Sequence, residues 1–332
     1  MHIDSVRELK QRAIRRVVAP MFAAAPRALG LAYAATALKA TRETQRLLAL
    51  GVAPAGKGQF KLAVRLQRQS LEAGAELERL RRMARGELDV RFIGRVHKRA
   101  IPWHQRRNRP LMIGGSIAHY AVTAGSVGGY VRPRNGTEAH VLSNNHVLAN
   151  ENRARRGDAI LQPGPYDGGT RGHDRAAQLA RFIRLRRRGA NLVDCATARL
   201  LPDTGYDAAA LAGLGKLKGV SAAMIEEGTR VAKVGRTTGV TRGRVTAFEM
   251  DDLVVAYDIG NVSFDNQIEI EGAGSKPFSD GGDSGSLIVD RDGYAVAQLF
   301  AGSDTGGRNR RGLTYAAPIQ SVLDQLNVEL IF

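Results

Sequence analysis

A histidine, an aspartate and a serine stand in three short islands of this 332-residue chain, each among neighbours that suit a chemical task. The first island is Ser143-Asn144-Asn145-His146-Val147, at the end of a strand-like run. The second is Leu192-Val193-Asp194-Cys195-Ala196, inside an apolar run. The third is Gly281-Gly282-Asp283-Ser284-Gly285-Ser286, a glycine-rich turn leading into an apolar strand signal. A serine hydroxyl is a poor nucleophile until a base takes its proton, and a neutral imidazole is the natural base near pH 7. A carboxylate behind the imidazole fixes its tautomer and stabilises the imidazolium that forms. Glycines beside the serine let two backbone N–H groups point at one place, where they would hold the oxyanion of a tetrahedral intermediate. Singly, each residue has a plainer reading: a turn serine, a structural histidine, a hydrogen-bonded aspartate. All three in this order, with strand-like flanks, point to nucleophilic catalysis.

These islands need a scaffold, and from residue 111 the texture supplies one. Short β-rich runs alternate with Gly, Asn and Asp turns: 124–131, 139–147, 190–200, 229–239, 242–250, 266–272, 285–290 and 295–302. Many short strands with close turn signals predict an all-β sandwich or barrel. A doubly wound fold would need helices between the strands, and the sequence has none there. Ile319, Val322, Leu323 and Leu326 share a helical face, so residues 318–328 read as a closing helix.

The first third differs. Residues 1–110 carry 24 Lys+Arg against 8 Asp+Glu, whereas residues 111–332 carry 25 against 24, so nearly all of the net charge of +17 lies in the first third. That asymmetry places a domain boundary near residue 110. The expected division is a basic helical region at 1–104, an exposed linker at 105–110 and a β domain at 111–332. Residues 4–48 and 59–86 read as two long helices, broken by Pro and Gly at 52–58. Three roles suit the basic region: an adaptor that docks a partner or makes oligomers, a binder of nucleic acid or anionic lipid, or a pro-region over the active site. The adaptor reading is preferred, since no zinc-finger or RNA-recognition motif occurs. The run Arg184 to Arg188 reads as an exposed loop.

Residues 10–37 have a signal-like pattern of basic text followed by apolar text, but Arg27, Pro20 and Pro26 interrupt it. The expectation is a cytoplasmic protein, with export as the alternative. A single cysteine excludes an internal disulfide framework and a four-thiolate metal site. Beside Asp194, Cys195 reads as a small core residue rather than a redox thiol. The remaining histidines, His2, His97, His104, His119, His140 and His173, lack the motif context, and His140 lies at the start of its strand.

The three islands together resemble the trypsin-like, chymotrypsin-fold serine proteases, whose order is also His, Asp, Ser. Val234-Gly235-Arg236-Thr237-Thr238-Gly239 and Leu299-Phe300-Ala301-Gly302-Ser303 are similar to a disulfide-free bacterial and plant subgroup. The resemblance covers about residues 111–332. It implies a double six-stranded β-barrel and a serine endopeptidase that works through an acyl-enzyme. It assigns Ser284 as nucleophile, His146 as general base and acid, and Asp194 as the residue that orients His146. It implies an oxyanion hole from the backbone N–H groups of Gly282 and Ser284, steadied by a buried Asp283. It implies protein or peptide substrates and neither metal nor organic cofactor. The sequence departs at Ser286, where many members have glycine. The position at the floor of the specificity pocket is Phe278, so cleavage after Lys or Arg is not expected. A small or apolar P1 side chain is, with Phe300 and Gly302 lining the pocket. Met112-Ile113-Gly114-Gly115 resembles the start of a mature domain whose new ammonium would pair with Asp283; the preferred reading is the first β segment of an always-active domain. The rival to the enzyme is a catalytically silent protease scaffold that binds partners, with the basic region engaging nucleic acid or an anionic membrane.

Overall fold

The computed structural model describes residues 1–20, 48–94, 96, 100–308 and 310–332. The chain forms two compact units, Met1–Ala100 and Ile101–Phe332.

In the first unit, helix α1 (Ile3–Ala13) continues through one wider turn to Val18. Val6, Leu9, Ala13 and Val17 recur every three or four residues and are buried. They pack on a three-stranded sheet of β1 (Leu48–Gly56), β2 (Gln59–Leu66) and β3 (Leu88–Phe92), and on helix α2 (Ala75–Met83). The second long helix expected over 59–86 is therefore corrected. Leu62, Val64 and Leu66 are fully buried at every second position, the strand period, and the same spacing also fits a helix at Leu62 and Leu66. The turn decides it: Gly56, Lys57 and Gly58 all take positive φ and fold β1 onto β2 as a hairpin. Helix remains only at α2, where Leu77 and Leu80 face the core. The signal-like run beyond residue 20 lies outside the described residues. Among the described residues no helix is long and apolar enough to cross a membrane.

The second unit begins earlier than the expected linker. Residues 105–110 pack on it rather than spanning between units. Gln105 Nε2 and His104 Nδ1 meet the Arg236 carbonyl at 3.2 and 2.6 Å, and the Asn108 amide donates to Gln162 Oε1 at 3.0 Å. Polar text at 105–110 reads as a linker by composition, but these groups are used to fix the chain on the β domain.

The β domain is two sheets rolled side by side. The first contains β5 (Ser116–His119), β6 (Gly125–Ser126), β7 (Gly129–Pro133), β8 (His140–Ser143), β9 (Ala159–Leu161), β10 (Arg175–Phe182) and β11 (Ala196–Leu200). Short pairs flank it: β4 (Leu111–Met112) runs parallel to β12 (Tyr206–Asp207), and β13 (Ala210–Leu211) pairs with β14 (Gly215–Lys216). The second sheet is a closed six-stranded barrel of β15 (Arg230–Gly235), β16 (Gly239–Met250), β19 (Gln267–Gly272), β22 (Thr314–Pro318), β21 (Ala295–Gly302) and β20 (Leu287–Asp290). A hairpin of β17 (Leu253–Tyr257) and β18 (Gly260–Phe264) projects between β16 and β19.

The expected pair of barrels thus holds, with one change. The first is an open, eight-stranded sheet in the order β23-β7-β8-β11-β10-β9-β5-β6. Its outer strand β23 (Val328–Ile331) comes from the C-terminus and pairs with β7. The expected closing helix α4 (Ile319–Leu326) precedes it, and Asn327 at φ 53° turns the chain back. Leu287 and Val289 from the barrel join Ile117, Val131 and Leu142 in one buried cluster, so the two sheets share a core.

Candidate functional site

His146 sits on helix α3 (Asn145–Leu148), a single turn that follows β8. Asp194 lies in the loop before β11, so the strand expected at 190–200 begins only at Ala196. The loop is fixed by Asn144, whose side-chain amide donates to the Asp194 carbonyl at 2.6 Å. The Asp194 carboxylate is buried and fully used. Its Oδ1 accepts the amides of Asn145 and His146 at 2.7 and 3.3 Å. Its Oδ2 accepts His146 Nδ1 at 2.5 Å and the Tyr257 hydroxyl at 2.7 Å. A buried carboxylate stays charged only with such partners. The contact fixes Nδ1 as the protonated nitrogen of a neutral ring, leaving Nε2 as the base.

Burial disfavours the His146 imidazolium, yet the charge and hydrogen bond of Asp194, with the charge of Glu151, outweigh it and hold the pKa above the ordinary histidine value. Burial, then the Asp194 charge, pushes Tyr257 well above the ordinary phenol range, so its hydroxyl remains a donor. Glu151 also clasps the hairpin over the pair. Its two oxygens accept the amides of Asp258 and Ile259 at 3.1 and 2.9 Å.

Opposite shifts should follow from removing these two groups. Glu151→Gln deletes a negative charge that supports the imidazolium, so His146 should titrate at lower pH. Tyr257→Phe deletes a donor that draws charge from Asp194, so His146 should titrate at higher pH. Each shift is expected to be a few tenths to about one pH unit, read from the imidazole resonances by NMR. Shifts of the same sign would contradict the assignment.

Ser284 lies in a turn on the barrel side, just ahead of β20. Ser126 binds the turn twice: its amide donates to the Ser284 carbonyl at 2.8 Å and its hydroxyl to the Gly282 carbonyl at 3.1 Å. A Cβ at Gly125 would lie 2.5 Å from Val147 Cγ2 and 3.0 Å from the Ser284 carbonyl, so the residue after His146 and the Ser284 backbone converge on one glycine. The Ser284 hydroxyl has no hydrogen bond among the described residues. Nor do the N–H groups of Gly282 and Ser284 donate to any protein acceptor there. By contrast, the amides of Asp283, Gly285 and Ser286 donate to Asp280, Leu299 and Asp283 at 3.0, 2.9 and 3.0 Å. Gly282 has φ 93°, and a Cβ there would meet Thr237 Oγ1 at 2.6 Å.

Asp283 is completely buried, as expected, and its partners are new. Lys233, also completely buried, places Nζ 3.1 Å from Asp283 Oδ2. Thr238 Oγ1 bridges the two, accepting from Lys233 at 2.6 Å and donating to Asp283 at 2.7 Å. The Thr237, Thr238 and Asp280 amides complete the set at 2.8, 3.2 and 3.0 Å. Burial holds the Lys233 pKa below the usual lysine value against the opposing pull of Asp283. Asp283 therefore already has its cation within the barrel. Ile113 is buried in the core behind β4, which accords with an ordinary first β segment. The departure at Ser286 is also explained, because its buried hydroxyl donates to the Asp283 carbonyl at 2.6 Å.

The pocket expectations need correction. Phe278 does not floor an open pocket; it is buried in the barrel core with Val231, Val245 and Ile268. Phe300 is buried under the hairpin, its ring 4.7 Å from Phe264. Gly302 alone is at the surface. Beside it are two hydroxyls, Ser279 and Thr314, 2.6 Å apart. Aromatic residues near a catalytic segment read equally as lining or as core, and here the core claims them. His140 lies buried against Thr197 at 3.5 Å, away from Asp194. Cys195 is buried and its thiol is pushed well above the usual range by burial, as befits a core residue.

Tyr257, Glu151, Lys233 and Thr238 were not legible as site residues. Lys233 carried a signal as a charge inside an apolar strand, Val231 to Val234, and Thr238 lay in the Val234–Gly239 motif with no role assigned to it.

A scan against models of protein families finds no match, and a search of curated proteins finds none. Among solved structures the chain is similar to the Nocardiopsis protease NAPase, at 18% identity over 67% of this chain and 98% of that one, with a TM-score of 0.48. It is similar to Thermobifida fusca protease A, at 15% identity over 66% and 97%, with a TM-score of 0.46. It is similar to Cellulomonas bogoriensis chymotrypsin, at 18% identity over 66% and 97%, with a TM-score of 0.45. By its own strand order, a closed six-stranded barrel beside a curled sheet, the unit from Ile101 to Phe332 has the chymotrypsin-like fold.

Proposed function

We propose that this unit is a serine endopeptidase with Ser284, His146 and Asp194 as its triad. The observation that carries the reading is the pair of unengaged amides, Gly282 and Ser284, held beside a Ser284 backbone that converges with the His146 turn on Gly125. Ser284 Oγ attacks the scissile carbonyl while His146 Nε2 takes its proton. The carbonyl oxygen becomes an oxyanion that the two N–H groups receive; one such donor is worth roughly 3–4 kcal/mol in the best-measured case. His146 then gives its proton to the leaving amine, and the acyl group stays on Ser284. Water, deprotonated by the same imidazole, releases the acid and restores the hydroxyl. Asp194 keeps Nδ1 protonated throughout, and Tyr257 and the two α3 amides hold the Asp194 carboxylate in place.

A small P1 side chain is favoured by the surface Gly302 with the hydroxyls of Ser279 and Thr314 beside it. The test of the reading is a fluorophosphonate probe with intact-mass readout on the full chain. One adduct is expected, mapped to Ser284 by peptide mass. A folded protein that takes no label would instead fit a silent protease scaffold, and a label on another serine would contradict the assignment.

A further inference from the structure

A large groove lies away from Ser284. It measures about 1060 Å³ and lies across the ends of β15 and β20 remote from the Asp283–Ser284 turn. Five arginines line it: Arg230 from β15, Arg242 and Arg244 from β16, Arg291 after β20 and Arg308 from the loop before β22. The register sets three of them on one face. Arg230 stands directly opposite Arg244, and Ala232 opposite Arg242. Like charges directly opposed across a sheet destabilise it.

Two acids line the same groove, and both are occupied. Glu271 is buried, accepts Arg244 Nη2 at 2.9 Å and also takes the Arg308 backbone amide. Asp290 Oδ1 accepts the amides of Asp292 and Tyr294, each at 2.9 Å. Among the described residues Arg230, Arg242 and Arg291 have no carboxylate within ion-pair distance. Ala232 and Ala273 leave the floor low between them.

We infer that this groove binds an extended, carboxylate-rich peptide segment. Arg230 and Arg242, both without a carboxylate partner among the described residues, are diagonal neighbours on one face of the β15–β16 pair, roughly 7–8 Å apart. Alternate side chains of an extended peptide repeat at roughly 6.6–6.8 Å, so two acidic residues of such a segment can each reach one of these two free guanidinium forks. Each fork can receive a carboxylate through two parallel hydrogen bonds. A closed barrel offers no free edge for strand addition, so recognition here runs through side chains. The groove is separate from the proposed triad, and binding to it does not depend on Ser284 being active.

The experiment uses the full chain and a fluorescein-labelled decapeptide of alternating Glu and Ala, followed by anisotropy. One-to-one binding is expected, weakened at least about tenfold in the double variant Arg230→Glu/Arg242→Glu and weakened by added salt. A Gln-Ala decapeptide should not bind. The competing cationic surface is the exposed face of α1, where Arg12 and Arg15 lie beside Lys10; Arg12→Glu/Arg15→Glu should leave affinity unchanged. Thermal melting checks that both double variants stay folded. Failure of the Glu-Ala peptide to bind would overturn the inference. So would binding that survives the groove variant or is lost only in the α1 variant. Tripolyphosphate binding the groove more tightly than the peptide would reassign it to phosphates. A chain that takes no fluorophosphonate but binds the peptide leaves this inference standing.

Discussion

Ser284→Ala should leave the fold intact, abolish fluorophosphonate labelling and lower kcat by a factor on the order of 10⁶, the scale seen when a triad serine is removed. The serine is half-buried at the end of a turn whose backbone is held by Ser126, Leu299 and Asp280, none of which touches its hydroxyl. Removing one oxygen there costs no hydrogen bond among the described residues, so stability should change little while chemistry stops. Two nearby serines make the test specific. Ser286 is buried with its hydroxyl committed to Asp283, and Ser143 is buried with its hydroxyl on the Ser126 carbonyl at 2.8 Å. Neither can take over. Asp194→Asn is the informative companion: it preserves shape but favours the wrong imidazole tautomer, and about 10⁴ in kcat should be lost. Turnover by Ser284→Ala well above the background rate would mean that the nucleophile lies elsewhere.

What the sequence made legible was local. Asn144, Asn145 and His146 are consecutive, and each turns out to bind the loop or carboxylate of Asp194, so one pentapeptide encodes much of the base's environment. Gly281 to Ser286 encodes its own turn through positive φ at Gly282 and Gly285. Strand positions in the barrel followed from short apolar runs between turns. What stayed hidden depends on pairing across distance. Tyr257 meets Asp194 only because the β17–β18 hairpin folds back over the loop before β11. Strand β23 joins the first sheet only after α4 reverses the chain. Residues 59–66 looked helical because Leu62 and Leu66 satisfy both periods, and burial of Val64 between them settles the strand. Phe278 and Phe300 were misplaced for a related reason: sequence offset gives position along the chain, whereas packing decides which side chains become core.

Lys233→Met should be the most damaging single change in the barrel. It removes the cation from a pair in which both side chains are wholly buried and leaves the Asp283 carboxylate without its paired cation. Breaking a buried pair from one side typically costs about 3–5 kcal/mol. For a unit of this size that corresponds to a fall in Tm of roughly 6–20 °C. The functional effect should be larger than the stability effect. Asp283 sits between the two residues whose amides face the proposed oxyanion position, and its carboxylate gathers Thr237, Thr238 and Asp280 around that turn. A carboxylate that loses Lys233 must take up a proton or swing toward water, and either motion drags the Gly282 and Ser284 amides with it. The variant should therefore label slowly with fluorophosphonate even at temperatures where it is folded. The double variant Lys233→Met/Asp283→Asn separates charge from shape. An asparagine keeps an acceptor for the Thr237 and Thr238 amides while removing the uncompensated charge, so much of the lost stability should return. Labelling should return only in part, because the Lys233–Thr238–Asp283 chain is no longer complete. If Lys233→Met instead melts and labels like the wild type, the cation is not what holds the turn, and the backbone amides around Asp283 suffice.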